Sequence, residues 1–401
     1  LPTSVMFSIH GFHVLGVDTN RDVVATINKG DTHIEEPGLK SLVRTAVNSG
    51  NLEARWEPEP AEAFIIAVPT PMTYERQADL SYVKAASESI VPHLTPGNLV
   101  ILESTVPPRT SQDVVVPILE RSGLKAGEHF FMAYCPERVL PGNVLQEIVV
   151  NDRIIGGINH TSAQQAQKLY QAFVTGIFYL TDTTTAEVVK LAENTYRDVN
   201  IALANQFALF SAVHGIDVYQ VIEACNSQPY SHIHRPGIAV GGHCIPVYPR
   251  LYLSTDPDAD IVRTARLLNA SMPERLVSQA VGILGSLEGM NAVVLGASYR
   301  GGVKETAFSG VFPTVDALRA RGAHVTVNDP LYSDDELRGL GFTPHTLGDP
   351  VDLAILQTDH ESYRSLTPAE FPGIRLFVDG RNATDSSAWS GTPRIVVGAG
   401  A

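Results

Sequence analysis

Two series of short β-branched runs stand on either side of one long stretch, Thr183 to His214, that contains neither Gly nor Pro. Few folds accommodate that arrangement. The first series is HVLGVD (13–18), AFIIAVPT (63–70), NLVILES (98–104), HFFMAYC (129–135) and RIIGG (153–157). Amphipathic stretches such as LSYVKAASESIVPHL (80–94) lie between them. Strand-like runs alternating with helical periods predict a parallel sheet covered by helices. The long stretch predicts one continuous helix, ended by Gly215, that links two domains.

After a Gly/Pro-rich loop (227–249), a second helical stretch runs from about Ala259 to Leu287. The strand series then resumes with NAVVLGAS (291–298), HVTVNDP (324–330), VDLAILQT (351–358) and RLFVDGR (375–381). The expected fold is α/β: two Rossmann-like doubly wound domains joined by a long central helix and a helical linker. The expected boundaries are 1–182 for a dinucleotide-binding part, 183–287 for a linker and dimerisation part with a cysteine loop, and 288–401 for a second nucleotide-binding part. A chain of 401 residues is too long for one core, which agrees with that division.

The formal net charge of -14 lacks the basic footprint of a nucleic-acid binder, so no nucleic-acid partner is expected. A diphosphate can still be held by helix N-termini and a few Arg or Lys, so the positive field must be local. The three cysteines, Cys135, Cys225 and Cys244, are widely spaced, with no CxxC pair, which argues against a disulfide framework or zinc knuckle and suits a reducing cytoplasm. No apolar run approaches the roughly 18 to 20 residues of a membrane span, and Leu1 to Val17 has no basic leader region, so no membrane association is expected. No His, Asp or Glu cluster has metal-ligand spacing, and His243 is expected to be structural.

Strand HVLGVD ends in Asp18, where a doubly wound domain places an acid for the adenosine ribose hydroxyls, a choice that favours NAD over NADP. Taken alone, an Asp after a strand is more often a turn or cap residue. No G-x-G-x-x-G precedes this strand, because the sequence starts at Leu1 inside what reads as the first helix. With the first strand and glycine loop outside the given sequence, weak NAD binding is expected of it as it stands. The densest constellation is GGHCIPVYP (241–249), where two glycines allow close backbone approach to a ligand and Cys244 can act as a nucleophile. A free cysteine is otherwise a small buried hydrophobe, the reading given to Cys135 and Cys225.

Several segments, in order, resemble the UDP-glucose/GDP-mannose dehydrogenase family over essentially the whole sequence: EEPGLKSLV (35–43), IIAVPTP (65–71), ESTVPP (103–108), CPERVLPGN (135–143), VVKLAENTYRDVNIALANQ (188–206), GGHCIP (241–246) and DGRN (379–382). The GGHCIP form is similar to that of members acting on UDP-N-acetylhexosamines. The resemblance implies NAD-dependent oxidation of a sugar C6 alcohol to a carboxylate, with two NAD consumed. A Cys244 thiolate would take the aldehyde as a thiohemiacetal, which becomes a thioester and is hydrolysed.

The same resemblance implies the residues. Asp18, Val68, Pro69, Thr70 and Thr105 would contact the cofactor. Glu137 would act as base around thioester hydrolysis and Thr105 would order the water. Lys190 and Asn194, four apart on one helix, share a face and would stabilise the developing oxyanion; without the resemblance such a pair reads as a solvated helix face. Glu137, Arg138, Val139, Lys190, Asn194, Arg235, Gly241, Arg300 and Arg381 would line the UDP-sugar site, where Arg suits bidentate recognition of a diphosphate. Loops that cross a dimer interface in the family imply a homodimer.

One position departs from the family. Members commonly carry Asp four residues after the cysteine, and here that residue is Tyr248. A phenol, with an unperturbed pKa of about 10, is a poor base near neutrality and cannot simply replace a carboxylate. UDP-glucose or another nucleotide sugar is the alternative substrate. A nucleotide-sugar-binding homologue without catalysis is the alternative class, against which the retained Cys244, Lys190 and Asn194 argue.

Overall fold

The run LVIL buries every residue because both faces of its strand are covered, and the same holds for LAIL (353–356) and LFVD (376–379). The computed structural model describes residues 1–73 and 77–399. They pack as two compact units, Leu1–Glu193 and Asn194–Ala401.

The strands of the first unit are β1 (Val14–Val17), β2 (Leu52–Arg55), β3 (Ala63–Ile66), β4 (Leu99–Leu102), β5 (Phe131–Tyr134), β6 (Arg153–Gly157) and β7 (Phe178–Asp182). Its helices are α1 (Pro2–Ile9), α2 (Arg21–Asn28), α3 (Leu39–Asn48), α4 (Ser81–Ile90), α5 (Val116–Leu119), α6 (Val144–Val150) and α7 (His160–Tyr170). Helix α8 (Thr183–Val213) begins in this unit and ends in the next.

β3 to β7 form one five-stranded sheet in chain order, and β1 and β2 form a separate parallel pair. Residues of period two divide the larger sheet's faces. Phe64, Ile66, Val100, Leu102, Met132 and Tyr134 pack with Val83 and Ile90 of α4 and Leu119 of α5. Leu99, Ile101, Ala133, Cys135 and Ile155 pack with Met6 and Phe7 of α1 and Ala166 and Tyr170 of α7. Two coverings explain runs without polar alternation. Parallel pairing throughout was the expectation, but β5 and β6 run antiparallel, through Ala133↔Gly157 and Tyr134↔Gly156. Only two residue pairs are involved, and the connection through α6 brings the chain back in the reverse direction.

The second unit has helices α9 (Val218–Asn226), α10 (Tyr248–Thr255), α11 (Asp260–Leu284), α12 (Val311–Arg319) and α13 (Asp334–Gly339). Its strands are β8 (Asn291–Leu295), β9 (His324–Asn328), β10 (Leu353–Leu356), β11 (Leu376–Asp379) and β12 (Arg394–Val396). They form one sheet in the order β12-β11-β10-β8-β9, parallel in every pairing. One face packs on α11 and α12 through Met272, Leu276, Val311 and Val315, and includes Ala208 of α8. The other is closed by Tyr363, Phe371 and Trp389. The strand order reverses between β8 and β10, so the ligand crevice of an open sheet falls beyond the carboxyl ends of those two strands. Among the described residues no helix is long and apolar enough to cross a membrane.

Candidate active site

In the first unit the functional candidates sit at strand ends. Asp18 follows β1, and its Oδ1 accepts the Asn20 N–H at 2.8 Å, so the carboxylate makes the turn that leads into α2. Both readings of this residue are compatible with that placement, since it is only partly buried. Beyond the neighbouring strands β3 and β4, two hydroxyls staple the loops together. The Ser104 hydroxyl donates to the Val68 carbonyl and the Thr70 hydroxyl to the Thr105 carbonyl, both at 2.6 Å. Pro69 is exposed at the tip, while Thr105 is buried. These loops lie where a doubly wound sheet receives a dinucleotide, and the partly exposed acid after β1 suits its ribose, so the residues present fit NAD.

The loop after β5 carries Glu137, Arg138 and Val139. Glu137 Oε1 accepts the Arg138 N–H at 2.7 Å, and Oε2 lies 3.6 Å from the buried Arg153 guanidinium. Arg138 is drawn into structure: it donates to the Asp152 carbonyl at 2.8 Å and pairs with Glu193 of α8. Val139 packs against the hydrophobic core.

The first turns of α8 hold both loops. Glu187, Lys190 and Glu193 recur every three residues, so they line one side of the helix. The Lys190 ammonium donates to the Glu137 carbonyl. The Glu187 carboxylate accepts the Arg109 N–H at 2.5 Å and the Ser111 N–H at 2.8 Å. Arg109 has a φ of 70°, unusual for a residue with a Cβ, and Glu187 holds it there. Burial pushes the Glu187 carboxyl up to about 7, against the pull of those N–H donors. Burial likewise raises Glu103, whose carboxylate takes the Tyr170 hydroxyl at 2.5 Å, and pushes the Cys135 thiol up to about 11. Cys135 is thus an inert core residue beside Arg153, as expected.

Lys190 is 9% exposed and Asn194 is 7% exposed. The solvated-face alternative is thereby excluded for both. The buried polar stripe continues down α8 in the second unit. Asp198 Oδ1 accepts the Asn269 side-chain amide at 2.7 Å, and Asp198 lies 3.0 Å from Arg266. The Asn205 amide donates to Asn269 at 2.9 Å while its oxygen accepts the Gly237 N–H at 2.9 Å. Helix α8 therefore fixes the start of the cysteine loop.

From Gly237 to Gly242 that loop is clamped to its surroundings. Ile238 N–H donates to the Gly380 carbonyl and Gly242 N–H to the Ala307 carbonyl, at 2.9 and 2.8 Å. The Tyr299 side chain stands against both glycines. A Cβ on Gly241 would stand 2.6 Å from the Tyr299 Cβ and 2.9 Å from the Phe308 carbonyl oxygen, and Gly242 adopts a φ of +91°. Both positions require glycine. Cys244 emerges exposed at the end of this clamp, with its Sγ 3.8 Å from the Tyr248 hydroxyl. His243 is exposed and faces Glu305 at 3.4 Å, so it packs on no core.

Arg381, sought as a substrate ligand, spends its guanidinium on backbone. It donates to the carbonyls of Gln357 at 2.8 Å, Ala239 at 3.1 Å and Tyr299 at 3.5 Å. Three loops around the crevice are thus tied to one side chain. Arg300 is half-buried on the loop after β8, beside Gly301, whose N–H donates to Asp359 at 3.0 Å. Arg235 is exposed at the head of the cysteine loop. Glu187, Asp198, Asn205 and Tyr299 escaped the sequence reading. The first three lay inside the helix already recognised, at helical spacing from Lys190 and Asn194, which was the available signal. Among the described residues no group of His, Cys, Asp and Glu could hold a metal ion.

NAD-dependent dehydrogenases of nucleotide sugars are the class to which this chain belongs. Family models make the assignment closer. The NAD-binding domain of the UDP-glucose/GDP-mannose dehydrogenase family matches residues 1–174, its central domain 184–272 and its UDP-binding domain 293–386. The chain is a member of that family. It is 40% identical to a UDP-N-acetyl-D-mannosamine dehydrogenase of Methanococcus vannielii, over 97% of this chain and 92% of the relative. It is 38% identical to an NDP-N-acetyl-D-galactosaminuronic acid dehydrogenase of Ralstonia solanacearum, over 91% and 89%. The solved structure of a UDP-D-ManNAc dehydrogenase from Pyrococcus horikoshii matches with a TM-score of 0.92 at 37% identity, covering 100% of this chain and 96% of that one.

Proposed function

We propose that this chain oxidises the C6 hydroxyl of a UDP-N-acetylhexosamine, the manno epimer first, to the uronate through a thiohemiacetal and thioester on Cys244. The observation that carries the reading is the exposed Cys244 at the end of a loop whose backbone is clamped at Gly237, Ile238, Ala239 and Gly242. A nucleophile presented by rigid backbone meets its substrate without reorganisation. The names of the archaeal relatives support the manno epimer, and UDP-glucose or a galacto sugar is the alternative.

Asp18, Val68, Pro69, Thr70 and Thr105 would hold NAD, which supplies the hydride acceptor for both oxidations. Lys190 and Asn194 stabilise negative charge on the reacting oxygen, Thr105 orders the hydrolytic water and Glu137 takes its proton. Arg138, Val139, Arg235, Gly241 and Arg300 shape the nucleotide-sugar site, and Arg381 shapes it through the three carbonyls it holds. The divisions 1–182, 183–287 and 288–401, a cytoplasmic location and a homodimer belong to the same reading. The match boundaries near 174–184 and 272–293 support the divisions.

The test is NADH formation with NAD and UDP-ManNAc, UDP-GlcNAc, UDP-glucose and GDP-mannose, alongside Cys244→Ala. Two NADH per sugar, lost in the variant, is the expected result and names the sugar. If NAD and UDP-sugars both bind but none yields NADH, the chain is a binding homologue or acts on another nucleotide, and the reading falls.

A further inference from the structure

We propose that the Tyr248 hydroxyl is a catalytic hydrogen-bond donor to the Cys244 sulfur, so that a phenol supports the thiolate where the family commonly has a carboxylate. The inference rests on Cys244 being the nucleophile of the reading above. Its basis is a single turn of backbone. The N–H groups of Val247 and Tyr248 both donate to the Cys244 carbonyl, at 3.2 and 2.9 Å. That turn opens α10 and sets the Tyr248 hydroxyl 3.8 Å from Sγ. The two side chains meet because their backbone is closed on itself.

The chemistry follows from what each group can exchange. A thiolate only accepts hydrogen bonds, and a phenol near neutrality has a proton to donate. A carboxylate in the same place has none, and its charge would oppose that of the sulfur. When the thiolate adds to the C6 aldehyde, the S–C bond forms and the carbonyl π pair moves to oxygen. Tyr248 keeps its proton throughout. It therefore assists before addition, by raising the share of Cys244 present as thiolate, the thiol proton leaving to solvent, without itself acting as acid or base; the proton of the hydrolytic water goes to another group, Glu137 in the reading above.

The experiment is alkylation of the native chain by iodoacetamide near neutral pH, with rates at Cys244 and Cys225 separated by peptide mass spectrometry, in the parent, Tyr248→Phe and Tyr248→Asp. Phe keeps the ring and removes one oxygen, so folding is preserved, and unchanged Cys225 labelling checks it. The expected result is about fivefold slower labelling of Cys244 in Tyr248→Phe, with Tyr248→Asp at least as slow. Labelling of Cys244 in Tyr248→Phe at the parental rate overturns the proposal. Alkylation needs neither sugar nor NAD, so a failure of the substrate reading leaves this result standing, and the reverse also holds.

Discussion

Glu187 is buried in the first unit, and its acid is easier to keep protonated in the fold than in the open chain. Below pH 4.5, the ordinary value, both states hold the proton. Between there and about 7 the folded state retains a proton that the unfolded state has lost, so stability falls as pH rises through this window and is level above it. The loss is about 3 kcal/mol at most. A Gln at this position cannot titrate. Urea midpoints should show Glu187→Gln gaining on the parent between pH 5 and pH 8; a constant difference would mean that the parent carboxyl does not titrate there. Lys190 and Asn194 were singled out beforehand by the resemblance of their segment, since their spacing alone reads as a solvated helix face. Glu187 was not, since a glutamate in the first turns of a helix has an ordinary reason to be there, at the positive end of the dipole.

The long helix was legible as an element, from its lack of Gly and Pro, and it spans Thr183–Val213. Its interior chemistry was not, because a polar stripe at helical spacing looks the same whether it faces water or a buried network. Burial raises the Asp198 carboxyl and lowers the Arg266 guanidinium, so desolvation outweighs their attraction and the pair itself adds little. Breaking it is another matter. Asp198→Ala strands Arg266, while the Asn269 amide keeps its bond to the main-chain carbonyl of residue 198, and is expected to cost about 3–5 kcal/mol in urea unfolding. Adding Arg266→Met removes the stranded charge and should recover much of that loss. A double variant no more stable than Asp198→Ala would place the cost in packing. Among strands, β2, β7 and β12 went unread. β12 has three residues, β7 runs directly into α8, and LEAR has too short an alternation to stand out.

At the scale of the molecule, the whole-chain order of segments predicted both α/β sheets, while the strand order that positions the crevice is a tertiary fact absent from local patterns. The net charge of -14 leaves a diphosphate to be held by local cations. Arg300 and Arg381 divide that task differently. Arg381 braces the carbonyls of Ala239, Tyr299 and Gln357, so Arg381→Ala should lower the stability of the ligand-free chain by about 1–3 kcal/mol through unpaired groups and slacken the cysteine loop. Arg300→Ala should weaken UDP. In the parent, UDP at about 100 times its Kd should stabilise by about 2.7 kcal/mol. Hydrogen exchange should place the protection on residues 296–302 and 357–360, at the carboxyl ends of β8 and β10. Protection confined to other segments, or equal UDP affinity in Arg300→Ala and the parent, would move the nucleotide away from the reversal point of the sheet.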